Sequence, residues 1–424
     1  MLAALWVCFA GRPALASGPD YPGHTPVARP GTAAAATRAL DAGELRSRLS
    51  SALESVGGAS GTWVRDVDGD GVLFASNAGT ARIPASNQKL FTTAAFLDRL
   101  GPEDALRTRI YARGGLSSGQ TLAGDLVIVG DGDPAFGTAR FARANDQPVT
   151  RVAALARAIS DAGIKAIKGR ILADDTIFDR AREASDDVSP LSGLSFNNGY
   201  DGGRYARAPE LVAARALKQS LRKLGVTVNG RVGHADVSPR TLATKPLAAI
   251  DSPDVATLIE ETNVPSNNFF AEMLLKRLAA VGGKRGTRDR GARKVEAFAD
   301  SHGIHVNAVD GSGVSRRNAA SPEEVGKLLV EMAGLDATEE AAAFTDSLPI
   351  AGREGTVADR MRGTAAEGNC ATKTGTLSDA SALSGYCAAG PHTIAFSILM
   401  NSVDVDAARR AQDKMAAAIA RYRP

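Results

Sequence analysis

Ser86 stands three residues before Lys89 in the stretch Pro84–Leu97, PASNQKLFTTAAFL, where an apolar run opens. A serine hydroxyl beside a lysine amine can be a nucleophile and its base. The neutral amine takes the hydroxyl proton as the oxygen attacks an acyl carbon. Three apart on a helix, the two side chains share a face about one turn apart. A serine at a helix N-terminus also meets free backbone N–H groups and the positive end of the dipole, which favour a developing oxyanion. Such a base needs a lowered pKa: at the reference value of 10.4 about 0.04% of a lysine is neutral at pH 7, and at a pKa near 8 about 10% is. Partial burial and a second cation would supply that shift, and Lys373 is the candidate cation.

The pair alone decides nothing, because S-x-x-K recurs as Ser220–Lys223 inside the amphipathic run LVAARALKQSLRKLG, where a polar helix face needs no function. Order carries more information. Downstream of Lys89 come Ser266-Asn267-Asn268, in TNVPSNNFFAEMLLK, and Lys373-Thr374-Gly375, in CATKTGTLSDASALSGY. S-x-x-K, then S-x-N, then K-T-G is the motif set of serine enzymes that handle penicillin and peptidoglycan peptides. A second S-x-N, Ser195-Phe196-Asn197, competes for the middle position.

The longer neighbourhoods PASNQKLFTTAAFL, GDLVIVGDGDP, TNVPSNNFFAEMLLK, DGSGVSRRN, LPIAGREGTVADRM and TKTGTLSDASALSGY resemble the class C low-molecular-mass penicillin-binding proteins, the D-alanyl-D-alanine carboxypeptidase/endopeptidase family, over roughly residues 45 to 420. The resemblance implies an α+β fold, a penicillin-binding transpeptidase-like (serine β-lactamase-like) domain of helices around an antiparallel sheet, interrupted between the first and second motifs. It implies a serine-type D-Ala-D-Ala carboxypeptidase with no cofactor and no metal, acting on peptidoglycan stem peptides and binding β-lactams covalently. Endopeptidase action on peptide cross-links is left open. Ser86 is then the nucleophile, Lys89 its base, Ser266 a proton relay and Asn268 a donor that holds Lys89 and the substrate amide. Lys373 faces the terminal carboxylate, Thr374, Gly375 and Thr376 line the substrate strand, and the N–H groups of Ser86 and Thr376 form the oxyanion hole. Asn267 stands where aspartate is frequent, and its side chain is expected outside the chemistry. Asp310 and Arg316 either shape the site or form a structural turn. The alternatives are a β-lactamase and a non-catalytic cell-wall binding module. Against the first, no E-x-x-x-N occurs between Asn268 and Lys373.

The elements that must position these residues are readable in outline. Leu45, Leu49, Leu53 and Val56 predict an opening helix, TWVRDVDGDGVLFASN a hairpin, and KLFTTAAFLDRLG a buried helix ending at Gly101. DVDGDG also matches half a calcium loop, but position twelve is Asn77 where a glutamate is required. Residues 102–244 mix strand and helix patterns and are assigned to an inserted α+β domain. The catalytic domain is assigned to 41–101 and 245–424, helical from about Lys245 and then turning to antiparallel strands and a closing amphipathic helix. That helix is expected to pack on the sheet, with peripheral membrane contact as the alternative.

Composition limits the partners. With 50 Lys+Arg against 47 Asp+Glu, the chain offers no nucleic-acid signature, and its densest basic run, Gly282–Lys294, reads as a loop entering a helix. Residues 1–16 read as an export signal ending in Ala14-Leu15-Ala16, and 17–40 as a Pro/Gly/Ala-rich linker. A periplasmic or cell-envelope location follows, with no transmembrane segment in the mature chain. Of the 3 cysteines, Cys8 leaves with the signal. Cys370 and Cys387 then either pair across neighbouring strands or remain two buried thiols.

Overall fold

The computed structural model describes residues 38–423 except 70, 118–119, 184, 186–187, 236–244 and 335–337. The expected export signal, and the expected linker as far as residue 37, lie outside the described residues. Leu40, placed at the linker's end, is already part of the fold: it is buried and exchanges backbone hydrogen bonds with Arg421 and Arg423.

In chain order the principal elements are α1 (Ala42–Glu54), β1 (Ala59–Asp66), β2 (Val72–Ser76), α2 (Gln88–Leu100), β3 (Ala105–Arg113), β4 (Asp125–Val129), α3 (Val152–Asp161), β5 (Ile171–Asp174), α4 (Pro209–Lys223), β6 (Val232–His234) and β7 (Ala248–Asp254). Helices α5 (Val255–Asn263), α6 (Asn268–Ala280), α7 (Arg288–Ser301) and α8 (Pro322–Gly334) follow, then β8 (Cys370–Leu377), β9 (Ala380–Ala389), β10 (His392–Asn401) and α9 (Val405–Ala420).

The first sheet has the order β8-β9-β10-β1-β2, antiparallel throughout, so strands from the two ends of the chain meet at β10 and β1. Period-two alternation sends Ile394, Phe396, Ile398 and Met400 of β10 to the face covered by α1 and α9. Ala395 and Leu399 go to the other face, where α2, α5, α6, α7 and α8 pack. The apolar stripe of α9, including Ala408, Ala411, Met415 and Ile419, is consumed by this packing rather than offered to a membrane surface. Helix α2 is buried on all sides from Gln88 to Leu97, between the sheet and the other helices, and stops at Gly101, whose φ of 86° an L-residue rarely adopts.

Residues between α2 and α5 build a second sheet, ordered β6-β5-β4-β3-β7, with their own apolar core against α3 and α4. Its last strand departs from the helical reading of the chain after Lys245. Ala248 pairs with Ile110 and Asp254 with Ala105, so the sheet runs on to Asp254, past residue 244. The segment therefore enters and leaves on adjacent strands, and the Val255 N–H donates to the Asp104 carbonyl at 2.9 Å.

The acidic DVDGDG turn is the β1–β2 connection. Asp66 Oδ2 lies 2.8 Å from His392 Nδ1, and Asp68 Oδ2 accepts the Thr393 N–H at 2.8 Å, tying the turn to β10. The register of β8 on β9 sets Cys370 directly opposite Cys387, and the two are joined by a disulfide. The loop-entropy account puts the contribution of such a crosslink at about 3 kcal/mol.

Candidate active site

Ser86 lies in the single 3-10 turn Ala85–Asn87 that leads into α2, one turn from Lys89. Two glycines crowd its amide. A Cβ on Gly375 would stand 2.8 Å from the Pro84 carbonyl oxygen and 3.0 Å from Ser86 N; one on Gly313, whose φ is +87°, would stand 1.9 Å from the Ala85 oxygen. The glycine of the K-T-G triplet thus lets β8 pass directly beside the Ser86 backbone.

Strand β8 is the edge of its sheet. The Thr372 N–H points outward to the Pro349 carbonyl at 2.9 Å, and strand alternation turns the N–H of Thr374 and Thr376 toward the same free edge. Ser86 N lies beside this strand, against Gly375, so backbone donors of both segments are close to one another, as an oxyanion site would need.

Lys89 is fully buried and its Nζ meets three oxygens: Ser86 Oγ at 3.0 Å, Asn268 Oδ1 at 2.7 Å and the Ser312 carbonyl at 2.6 Å. An ammonium donates to all three. The neutral amine keeps its two N–H bonds for Asn268 and Ser312 and turns its lone pair on the Ser86 hydroxyl, which is the arrangement of a general base. Burial lowers the Lys89 pKa to about 7, against the opposing pull of Glu272 and Asp310. The shift thus comes from desolvation rather than from a second cation. Lys373 is also buried and donates to the Thr374 carbonyl at 3.0 Å; desolvation, then the Lys89 charge, holds its pKa well below the usual lysine range.

Among the other expected residues, Asn268 opens α6, while Asn267 caps that helix by accepting the Phe270 N–H and donates to Glu261, away from the chemistry. Ser266 sits half-buried in the preceding turn with φ +61°, and among the described residues its hydroxyl makes no hydrogen bond to Ser86 or Lys89. Thr374 Oγ1 donates to Thr356 Oγ1 at 2.7 Å, and the exposed Thr376 Oγ1 accepts from Arg409 Nη2 at 3.2 Å. The competing motifs lie elsewhere. Ser220 and Lys223 are on α4 in the inserted segment, and Asn197 Oδ1 accepts the Thr138 N–H there.

The sequence reading missed Glu272, whose buried carboxylate accepts the N–H groups of Gly311 and Ser312 at 3.0 and 2.9 Å and so aims the Ser312 carbonyl at Lys89. Its signal was a lone acid in the apolar helix NFFAEMLLK, one turn after Asn268 on the same face. Asp310 accepts from Gly313, Ser315 and Asn318, holding the loop that carries Ser312. Arg316 pins that loop to the β8–β9 turn through Ser378 and Asp379, both at 2.6 Å.

Comparison with known proteins follows the same lines. The family model described as D-Ala-D-Ala carboxypeptidase 3 (S13) matches residues 43–190 and 197–422. A D-alanyl-D-alanine carboxypeptidase of Actinomadura sp. (strain R39) is 29% identical, covering 89% of this chain and 85% of its own. Penicillin binding protein 4 of Haemophilus influenzae has the same fold with a TM-score of 0.72 at 20% identity, covering 87% of this chain and 97% of its own. A predatory peptidoglycan endopeptidase from Bdellovibrio bacteriovorus superposes with a TM-score of 0.54 at 18% identity over 82% of this chain and 86% of its own.

Proposed function

The chain belongs to the D-Ala-D-Ala carboxypeptidase 3 (S13) family, and from that membership and the Ser86 geometry we propose that it is a serine-type D-Ala-D-Ala carboxypeptidase working through an acyl-enzyme on Ser86. The observation that carries the reading is the buried Lys89 amine, 3.0 Å from Ser86 Oγ, with a pKa brought to about 7. Ser86 Oγ attacks the carbonyl between the last two D-alanines as Lys89 takes its proton. The N–H groups of Ser86 and Thr376 hold the oxyanion. Collapse expels the terminal D-alanine, its nitrogen taking the proton held by Lys89; a relay through Ser266 requires its hydroxyl, which does not bond Lys89 in the free site, to turn toward the leaving nitrogen once substrate is bound. Water then attacks the acyl-enzyme and restores Ser86.

Penicillin follows the first half of this path. Its leaving nitrogen stays tethered to the acyl group and blocks water, so the penicilloyl ester persists. Endopeptidase cleavage of a cross-link is the same step with a different leaving amine. Purified protein is expected to release D-alanine from a D-Ala-D-Ala-terminated peptide and to carry one stable penicilloyl group on Ser86, read by peptide mapping. Penicillin hydrolysis at many turnovers per second without D-alanine release would make it a β-lactamase instead, and neither activity would leave a binding module.

The apolar segment before Ala16 and the Cys370–Cys387 bond support action outside the cytoplasm, in the cell envelope. No helix among the described residues is long and apolar enough to cross a membrane. Mass spectrometry of unreduced native protein is expected to find a processed N-terminus and no free thiol at Cys370 or Cys387. An intact Met1 with two free thiols would contradict both expectations.

A further inference from the structure

Lys373, Arg316 and Arg409 are cationic side chains at or beside β8, and they are not equivalent. Lys373 is fully buried and donates to a backbone carbonyl of its own strand. Arg316 is neutralised by Asp379 at 2.6 Å. Arg409, from the first half of α9, donates to the uncharged, exposed hydroxyl of Thr376 on β8 at 3.2 Å, and its ion pair with Asp406 is long, at 3.7 Å. Its side chain is 43% exposed, so the charge is available to a ligand from solvent. The backbone beneath it is held in place: Arg360, bound to Asp413 at 2.7 Å, also donates to the Arg409 carbonyl at 3.3 Å.

A substrate whose scissile carbonyl oxygen lies between the N–H groups of Ser86 and Thr376 carries its terminal carboxylate only three bonds further on, about one residue length along the strand edge. The Thr376 side chain leaves the same residue that supplies the oxyanion donor. A carboxylate passing there meets the Thr376 hydroxyl and the guanidinium already hydrogen-bonded to it. The guanidinium fork suits a carboxylate and stays charged at every working pH.

We propose that Arg409 is the counter-ion for the substrate's C-terminal carboxylate and thereby sets the preference for peptides that end in a free acid; the assignment rests on the carboxypeptidase reading above. On binding, the guanidinium gives up its single bond to Thr376 for a charge-assisted pair with the carboxylate, and Thr376 Oγ1 is freed to donate to the same group. Lys373, out of solvent and held by the Thr374 carbonyl, then serves the Lys89 side of the site.

The test compares two peptides that differ only at the end, D-Ala-D-Ala as the free acid and as the C-terminal amide, in wild type, Arg409→Gln and Arg409→Lys. Wild type is expected to favour the acid in kcat/KM. Arg409→Gln lowers that acid-over-amide ratio about ten- to a hundredfold, mainly through KM for the acid, and Arg409→Lys recovers part of it. A ratio unchanged in Arg409→Gln, or a wild type indifferent to the carboxylate, overturns the proposal even if the variant is slower on both peptides. The outcome is separable from failure of the carboxypeptidase reading, in which wild type releases neither D-alanine from the acid nor D-alaninamide from the amide.

Discussion

Ser86→Ala abolishes covalent labelling by a fluorescent penicillin and lowers D-alanine release by about 10^4-fold or more, while Ser220→Ala leaves both within about twofold. The two serines carry the same S-x-x-K spacing, so spacing cannot separate them. Their surroundings do. Ser86 Oγ has a buried amine at 3.0 Å and its own amide packed against Gly375 of β8; Ser220 sits half-exposed near the end of α4 with Lys223 in solvent. Without the oxygen at position 86 there is no atom to carry the acyl group, whatever the oxyanion donors still contribute. Labelling that survives in Ser86→Ala, mapped to any other serine, would reject the assignment.

The second large effect is in pH. The rate of acylation by penicillin rises about tenfold per unit below pH 7 and levels off above it, because only the neutral Lys89 amine can take the Ser86 proton and its pKa lies at about 7. The sign follows from burial. Desolvation penalises the ammonium and draws the pKa down, Glu272 and Asp310 oppose it, and the balance leaves about half of the lysine in the basic form at neutral pH. An ordinary lysine would shift the rise to between pH 9 and 11. Lys89→Ala removes the base and is expected to lower acylation by about 10^2- to 10^4-fold and to flatten the profile. Stopped-flow acylation between pH 5 and 9 reads both. A wild-type rate independent of pH over that range, or a flat profile shared with Lys89→Ala, would mean that another group accepts the proton.

What the residues alone determined lies close in the chain. The spacing of Ser86 and Lys89, the apolar continuity of Lys89–Leu97, the end at Gly101, and the alternation in CATKTGTL and HTIAFSILMN follow from local sterics and from periods of 3.6 and 2. The ordered motifs and their long neighbourhoods carried the family resemblance as well.

Tertiary structure decided everything that needed two distant segments to meet. Whether Cys370 and Cys387 bond was a question of register, since a one-residue slip of β8 on β9 turns the two side chains to opposite faces. That Ala248–Asp254 is a strand depends on β3, more than a hundred residues earlier, because seven residues of weak alternation become a strand only when a partner edge satisfies their backbone groups. Ser266-Asn267-Asn268 and Ser195-Phe196-Asn197 are equally good triplets on paper, and only the packing of α6 against α2 brings Asn268 within 2.7 Å of Lys89. The parts played by the Ser312 carbonyl and Gly313 have no local signature at all, and Glu272 has only that of a lone acid one turn after Asn268. A hydrogen bond across the fold leaves no period in the chain, and the pKa of Lys89 is set by how much water the surrounding helices and sheet exclude.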